Sequence, residues 1–270
     1  MLKKLLKYEY KATGRTLLPL YGGILIFSII TKIFSMINEF FQSDSTGSFW
    51  QNMQGLSSFA YGIIIFSTFI ITFFIALQRF YTNLLGDEGY LMFTLPVKTW
   101  MHIVSKLVTA VTWIVSSVIV FISSLIILLA NDDFFSTLSN FWDFFIEVFS
   151  IIPGTNPGIA FAEITLMALA VAVEFLLTFY FAITIGRQLF KKKLLGIFVS
   201  YIGLNFAKQT ISSIVLTIFM LSNVSFDLAN TGFSTMLHIL FLYLFVFSVL
   251  ISTVCFFITN SILKKKLNLE

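Results

Sequence analysis

The sequence predicts an all-α integral membrane protein with six transmembrane helices, an N-terminal amphipathic helix in the headgroup plane and both termini cytoplasmic. Three observations carry this. Of 270 residues 58% are hydrophobic and only 11% charged, with a mean hydropathy of +0.94, whereas soluble domains are nearer a quarter charged. Apolar runs longer than the roughly 18 residues that mark a bilayer-crossing helix recur along the whole length. Fifteen of the seventeen Lys and Arg fall in segments that the spans place on one side.

Residues 2–15 open the chain, with Leu2, Leu5, Leu6 and Ala12 on one side of a helical wheel and Lys3, Lys4, Lys7, Lys11 and Arg15 on the other. That is the pattern of an interfacial elbow. Glu9 falls within the apolar face, where it either snorkels or meets another subunit. The six spans follow at about 17–37, 57–78, 103–130, 160–186, 195–221 and 235–262, each able to cross a core of about 30 Å. Backbone groups in hydrocarbon must bond internally, so these are helices. Runs such as Ile63-Ile64-Ile65-Phe66 break the alternation a β-barrel would need. Span one is not a cleavable leader: its basic lead is long, and Lys32, Asn38 and Glu39 close it with no small-residue cleavage site. No repeat or linker divides residues 17–262, so one membrane domain is expected, followed by a basic tail at 263–270.

The basic residues set the orientation. Lys3, Lys4, Lys7, Lys11 and Arg15 precede span one; Arg79, Lys98 and Lys106 lie in or beside the second connection; Arg187 and Lys191–Lys193 mark the fourth; Lys264–Lys266 end the chain. Loops 38–56, 131–159 and 222–234 contain no Lys or Arg and hold Glu39, Asp44, Asp132, Asp133, Asp143, Glu147 and Asp227. Positive residues are retained inside, so both ends are expected in the cytoplasm. The net charge of +4 reflects topology and anionic lipid, with no need of a nucleic-acid partner. External loop 131–159 carries Phe134, Phe135, Leu138, Phe141, Trp142, Phe145 and Phe149 near helical spacing, which predicts a helix resting on the outer leaflet.

Two segments call for more than lipid contact. The second cytoplasmic connection reads Asp87-Glu88-Gly89-Tyr90-Leu91-Met92-Phe93-Thr94-Leu95-Pro96, with acids at the start of a short helix and a proline to end it. Tyr90, Leu91, Met92 and Phe93 make an apolar knob that sinks into headgroups or docks in a partner. In span five, Tyr201, Asn205, Lys208, Gln209, Ser212, Ser213 and Thr217 recur at three- and four-residue steps, a stripe for helix packing, a wetted path or a subunit interface. Lys208 and Glu174 of span four lie at matching depths of roughly 20 Å, and an isolated charge there costs at least about 2.5 to 3.5 kcal/mol, so an intramembrane ion pair is expected. A structural clamp and a proton or substrate site are both open to that pair.

The run Leu5-Leu6-Lys7-Tyr8-Glu9-Tyr10-Lys11, the Gly14-Arg15-Thr16-Leu17-Leu18-Pro19-Leu20-Tyr21-Gly22 that follows, and the Asp87–Val97 loop resemble the membrane subunits of ABC type-two exporters of Gram-positive bacteria, and the six-span layout is similar throughout. The resemblance implies that residues 2–15 and 87–98 contact a separate ATP-binding cassette subunit, assigning ATPase coupling to Glu9, Asp87, Glu88, Tyr90, Leu91, Met92 and Phe93. It also implies a second membrane subunit, identical or homologous, facing spans two and five around a substrate path. The short fifth connection, 222–234, departs from relatives that carry a longer external piece there.

No G-x-x-x-x-G-K-[ST] loop exists in the chain, so ATP and Mg would sit on the partner, and the chain itself would need no cofactor. One Cys and two His, with no H-E-x-x-H or G-x-S-x-G, give no foothold for metal or hydrolytic catalysis. His102 and His238 read as headgroup-level polar residues near opposite span ends. The expected function is therefore a permease subunit for an amphipathic or hydrophobic substrate such as an antimicrobial peptide. Its rivals are an ion- or proton-coupled carrier using Glu174 and Lys208, and a non-transporting scaffold or sensor.

Overall fold

The computed structural model describes residues 1–41, 47–86, 89–94, 96–129, 134–150, 156–190, 192–222 and 233–265. Its elements are α1 (Leu2–Phe40), α2 (Gly47–Phe80), a π-helical turn (Tyr81–Leu85), α3 (Gly89–Thr94), α4 (Thr99–Leu129), α5 (Phe134–Ser150), α6 (Pro157–Leu189), α7 (Lys193–Ser222) and α8 (Phe233–Lys265). Among the described residues there is no strand. Six helices, α1, α2, α4, α6, α7 and α8, are long and apolar enough to cross a membrane, and the six expected spans fall on them.

Two boundaries differ from expectation. The elbow and span one run as a single helix of 39 residues, with Pro19 inside it. At 1.5 Å per residue that is about 58 Å, roughly twice a hydrocarbon core. Along its first turns the basic side chains are exposed, Leu2, Leu5 and Leu6 are half-buried, and Glu9 is buried. Residues 263–265 of the tail continue α8, and 266–270 lie outside the described residues. By packing the chain forms two compact units, Met1–Gln78 with Val108–Trp142, and Arg79–Leu107 with Asp143–Glu270.

In the first unit α1, α2 and α4 meet through polar groups at each crossing. Asn38 donates to Gln54 Oε1 at 2.7 Å, joining α1 to α2, and the Tyr61 and Ser124 hydroxyls lie 2.6 Å apart between α2 and α4. Trp113 ties α4 to α1: its Nε1 donates to Thr13 Oγ1 at 2.7 Å, and its carbonyl accepts from the Tyr21 hydroxyl at 2.9 Å. Gly14 lies against that indole, where a Cβ would sit 3.5 Å from Trp113 Cζ2, an ordinary packing distance. Many of the remaining side chains on these helices are exposed Ile, Leu and Phe, as hydrocarbon-facing surfaces require.

The second unit is built around α6, which packs against α7, α8 and the π-helical turn. Asn156 caps α6, its Oδ1 accepting from Gly158 N–H at 3.0 Å, while Pro157 occupies the first turn where no amide donor is needed. At the other end Gly186 of α6 and Gly196 of α7 let the two backbones touch. A Cβ on Gly186 would strike the Gly196 and Ile197 backbone, and one on Gly196 would strike the Gly186 carbonyl. Phe80 lies flat on Tyr180, rings 3.9 Å apart and 5° from parallel, and Arg187 stands 5.5 Å over the Tyr81 ring. His102 and Lys106, in the first turns of α4, are buried at 0% and 3% exposure, and both have partners.

Candidate functional site: a three-helix polar centre

Glu174 is the focus of the second unit. Its Oε1 accepts from Lys208 Nζ of α7 at 2.8 Å, and its Oε2 accepts from the Ser248 hydroxyl of α8 at 2.9 Å, so one carboxylate joins three helices. Lys208 also reaches Thr178 Oγ1 at 3.4 Å, while that threonine returns its proton to the Glu174 carbonyl at 2.8 Å. The two charged side chains are 18% and 14% exposed. A charge so enclosed among apolar helices is costly unless paired and hydrogen-bonded, and here every charged atom has a partner.

A second pair lies toward the other end of the same helices, with His238 Nδ1 of α8 at 2.7 Å from Glu163 Oε2 of α6. Both side chains are about a third exposed, at 31% and 32%. Between the two pairs α6 and α8 leave an apolar groove of about 200 Å³, lined by Glu163, Leu166, Phe241, Leu242 and Phe245. Sequence reading missed this pair, taking His238 as a lone headgroup-level residue. In the structure the two residues stand at matching depth, Glu163 six residues past the start of α6 and His238 five past the start of α8.

The stripe on α7 does not act as one surface. Tyr201 stacks on Phe179 of α6 at 4.2 Å and 20°, and the Ser212 hydroxyl lies 3.0 Å from the Tyr243 hydroxyl of α8. Together with Lys208 they form an inward edge separated by seven and four residues. Asn205 is half-buried and donates to the Tyr201 carbonyl at 2.9 Å. Gln209, Ser213 and Thr217, four residues apart, are exposed and form an outward edge. Ser213 and Thr217 return their protons to carbonyls one turn back, at 3.4 and 2.8 Å, which removes much of their polarity from a membrane-facing surface. Gln209 has no hydrogen-bond partner among the described residues.

The coupling residues fall in two groups. Glu9 is 8% exposed, and its carbonyl accepts from Thr13 Oγ1 at 2.7 Å. Asp87 and Glu88 lie outside the described residues. Gly89 begins α3 and Thr94 ends it, so Tyr90, Leu91, Met92 and Phe93 are on a helix of six residues that packs on the π-helical turn; Met92 is half-buried. Among the described residues no three His, Cys, Asp or Glu side chains gather in a way that could hold a metal. Compared with known proteins, the chain matches no family model, no curated protein and no solved structure.

Proposed function

We propose that this chain is the transmembrane permease subunit of an ATP-driven ABC exporter. It sits in the plasma membrane of a bacterial cell with both termini in the cytoplasm. Its substrate is amphipathic or hydrophobic, of the kind an antimicrobial peptide represents. The observation that carries the reading is the train of rigid contacts behind the apolar knob. α3 rests on the π-helical turn, that turn packs on α6, and the joint is fixed by the Phe80–Tyr180 stack and by Arg187 over Tyr81. A push on residues 90–93 would reach α6 through packed aromatic rings, and packed contacts transmit displacement where a loose loop would absorb it.

The chain's own sequence supplies no phosphate-binding loop, which assigns the fuel, ATP with Mg, to a separate ATP-binding cassette subunit. The exposed edge of Gln209, Ser213 and Thr217 on α7 suits a second membrane subunit or a substrate path, since an uncompensated glutamine is poorly placed in lipid. One observation favours a second reading, an ion- or proton-coupled carrier: the enclosed Glu174–Lys208 pair is chemistry that such carriers use.

Purification of the full chain from its native host in mild detergent separates the two. The exporter reading expects a co-purifying subunit with a Walker loop, lost on Phe93→Asp. The carrier reading expects a lone chain that dissipates a pH gradient in vesicles. Full uphill transport by vesicles holding this chain alone would end the exporter reading.

A further inference from the structure

Glu163 and His238 spend one polar atom each on their mutual contact. The 2.7 Å bond joins Glu163 Oε2 to His238 Nδ1, while Glu163 Oε1 and His238 Nε2 have no partner among the described residues. With about a third of each side chain exposed, the pair is open to a ligand from outside the protein.

The same pair borders the apolar groove between α6 and α8. Glu163 itself lines that groove, Leu166 follows three residues later on α6, and Phe241, Leu242 and Phe245 stand three, four and seven residues past His238 on α8. The apolar lining therefore lies to one side of the polar pair, reaching about 10 Å further along the helices. Its volume, about 200 Å³, exceeds the roughly 150 Å³ of an apolar cavity that holds benzene. Leu166 and Leu242 are 56% and 63% exposed, so the groove opens on the membrane-facing surface.

Depth decides what can reach it. α6 and α8 are 33 residues each, about 50 Å, against a hydrocarbon core of about 30 Å, so a centred helix leaves about 10 Å beyond the hydrocarbon at each end. Glu163 and His238, six and five residues past the starts of their helices, are about 9 and 8 Å from those ends. They stand at the boundary between headgroups and hydrocarbon, and the groove runs from there toward the middle of the bilayer. A membrane lipid sets out its charges and its chains in that same order.

Charge narrows the headgroup. The segments that lead into α6 and α8, residues 131–156 and 222–232, contain Asp and Glu but no Lys or Arg, which disfavours a lipid of net negative charge. An ionised carboxylate only accepts hydrogen bonds, so Glu163 Oε1 calls for an N–H donor, which a primary ammonium has and a quaternary one lacks. His238 Nε2, when it carries a proton, is a donor for a phosphate oxygen.

We propose that the groove between α6 and α8 binds a membrane phospholipid with a primary ammonium headgroup. The ammonium donates to Glu163 Oε1, the phosphate accepts from His238 Nε2–H, and one acyl chain lies along Leu166, Phe241, Leu242 and Phe245. An acyl chain gains little by leaving other chains for an apolar helix surface, so the groove supplies shape and the two polar contacts supply the choice of lipid. The site stands apart from the Glu174 centre and from the source of energy, and its failure would leave the exporter reading untouched.

The full-length chain is reconstituted in nanodiscs of equimolar dioleoyl phosphatidylethanolamine, phosphatidylcholine and phosphatidylglycerol and released into mild detergent, and the lipid it retains is identified by native mass spectrometry. Retention of the ethanolamine lipid about fivefold over the choline lipid is expected, since only its ammonium can donate to Glu163. Glu163→Gln removes the charge and should bring that ratio to about one. Leu166→Trp, which fills the groove from an exposed position, should lower retention of the ethanolamine lipid to a similar degree. Equal retention of ethanolamine and choline lipids by the wild-type chain overturns the proposal, as does a preference for the glycerol lipid or one for ethanolamine that survives Glu163→Gln. The wild-type ranking needs no variant and decides the matter even if a variant fails to fold.

Discussion

His238 meets Glu163 across 75 residues of chain, and eleven residues further along α6 Ser248 meets Glu174 across 74. Two contacts whose offsets agree to within one residue mean that α6 and α8 run parallel over about 16 Å. Lys208 enters the lower contact from α7, which must run the other way between them. The polar centre is thus a property of helix register, and its residues should respond to mutation as a coupled set.

Glu174→Ala leaves the Lys208 ammonium without its carboxylate in an apolar setting and is expected to destabilise the chain by about 2 to 3 kcal/mol. Lys208→Ala should recover part of that loss in the double variant. A double-mutant cycle from reversible unfolding in mixed detergent reads the coupling; losses that simply add would show that the contact carries no energy.

The outer pair should behave differently. Glu163 and His238 are each about a third exposed, so screening by solvent reduces their attraction. Glu163→Gln and His238→Gln are each expected to change stability by less than about 1 kcal/mol. A loss as large as that of Glu174→Ala in the same unfolding assay would contradict the ranking.

The glycine crossing makes a prediction with a sign. Gly186→Ala and Gly196→Ala place a Cβ against backbone that cannot give way, and each should cost about 1 to 3 kcal/mol. Gly203, also on α7, meets nothing within 4 Å of its Cβ position, and Gly203→Ala should stabilise by about 0.5 to 1 kcal/mol through helix propensity. Thermal melts of the three variants decide it: equal effects at 186, 196 and 203 would mean that α6 and α7 do not touch there.

Trp113→Phe keeps an aromatic ring between α1 and α4 but removes the donor to Thr13. The expected loss is about 1 kcal/mol, and Thr13→Ala in the Trp113→Phe background should cost less than it does alone. Independent effects in the four-variant comparison would place the indole N–H elsewhere.

The helices and the six spans were legible because hydrophobic length in lipid has almost one structural solution. Glu174 and Lys208 were legible because a lone charge at mid-span needs a partner and their depths agree. The Glu163–His238 contact was not, since residues near span ends have water as an alternative and depth alone does not choose. The division of the α7 stripe escaped because three- and four-residue steps sweep across a face: Tyr201, Lys208 and Ser212 stay inward while Gln209, Ser213 and Thr217 drift outward.

Fixed register between α6 and α8 restricts how the second unit can move. A slip of one residue along the axis, about 1.5 Å, would pull the Glu163–His238 and Glu174–Ser248 contacts out of reach together, so neither can be traded for the other. The two contacts therefore bind α6 and α8 to one another at two heights, so that sliding one helix along the other must break both.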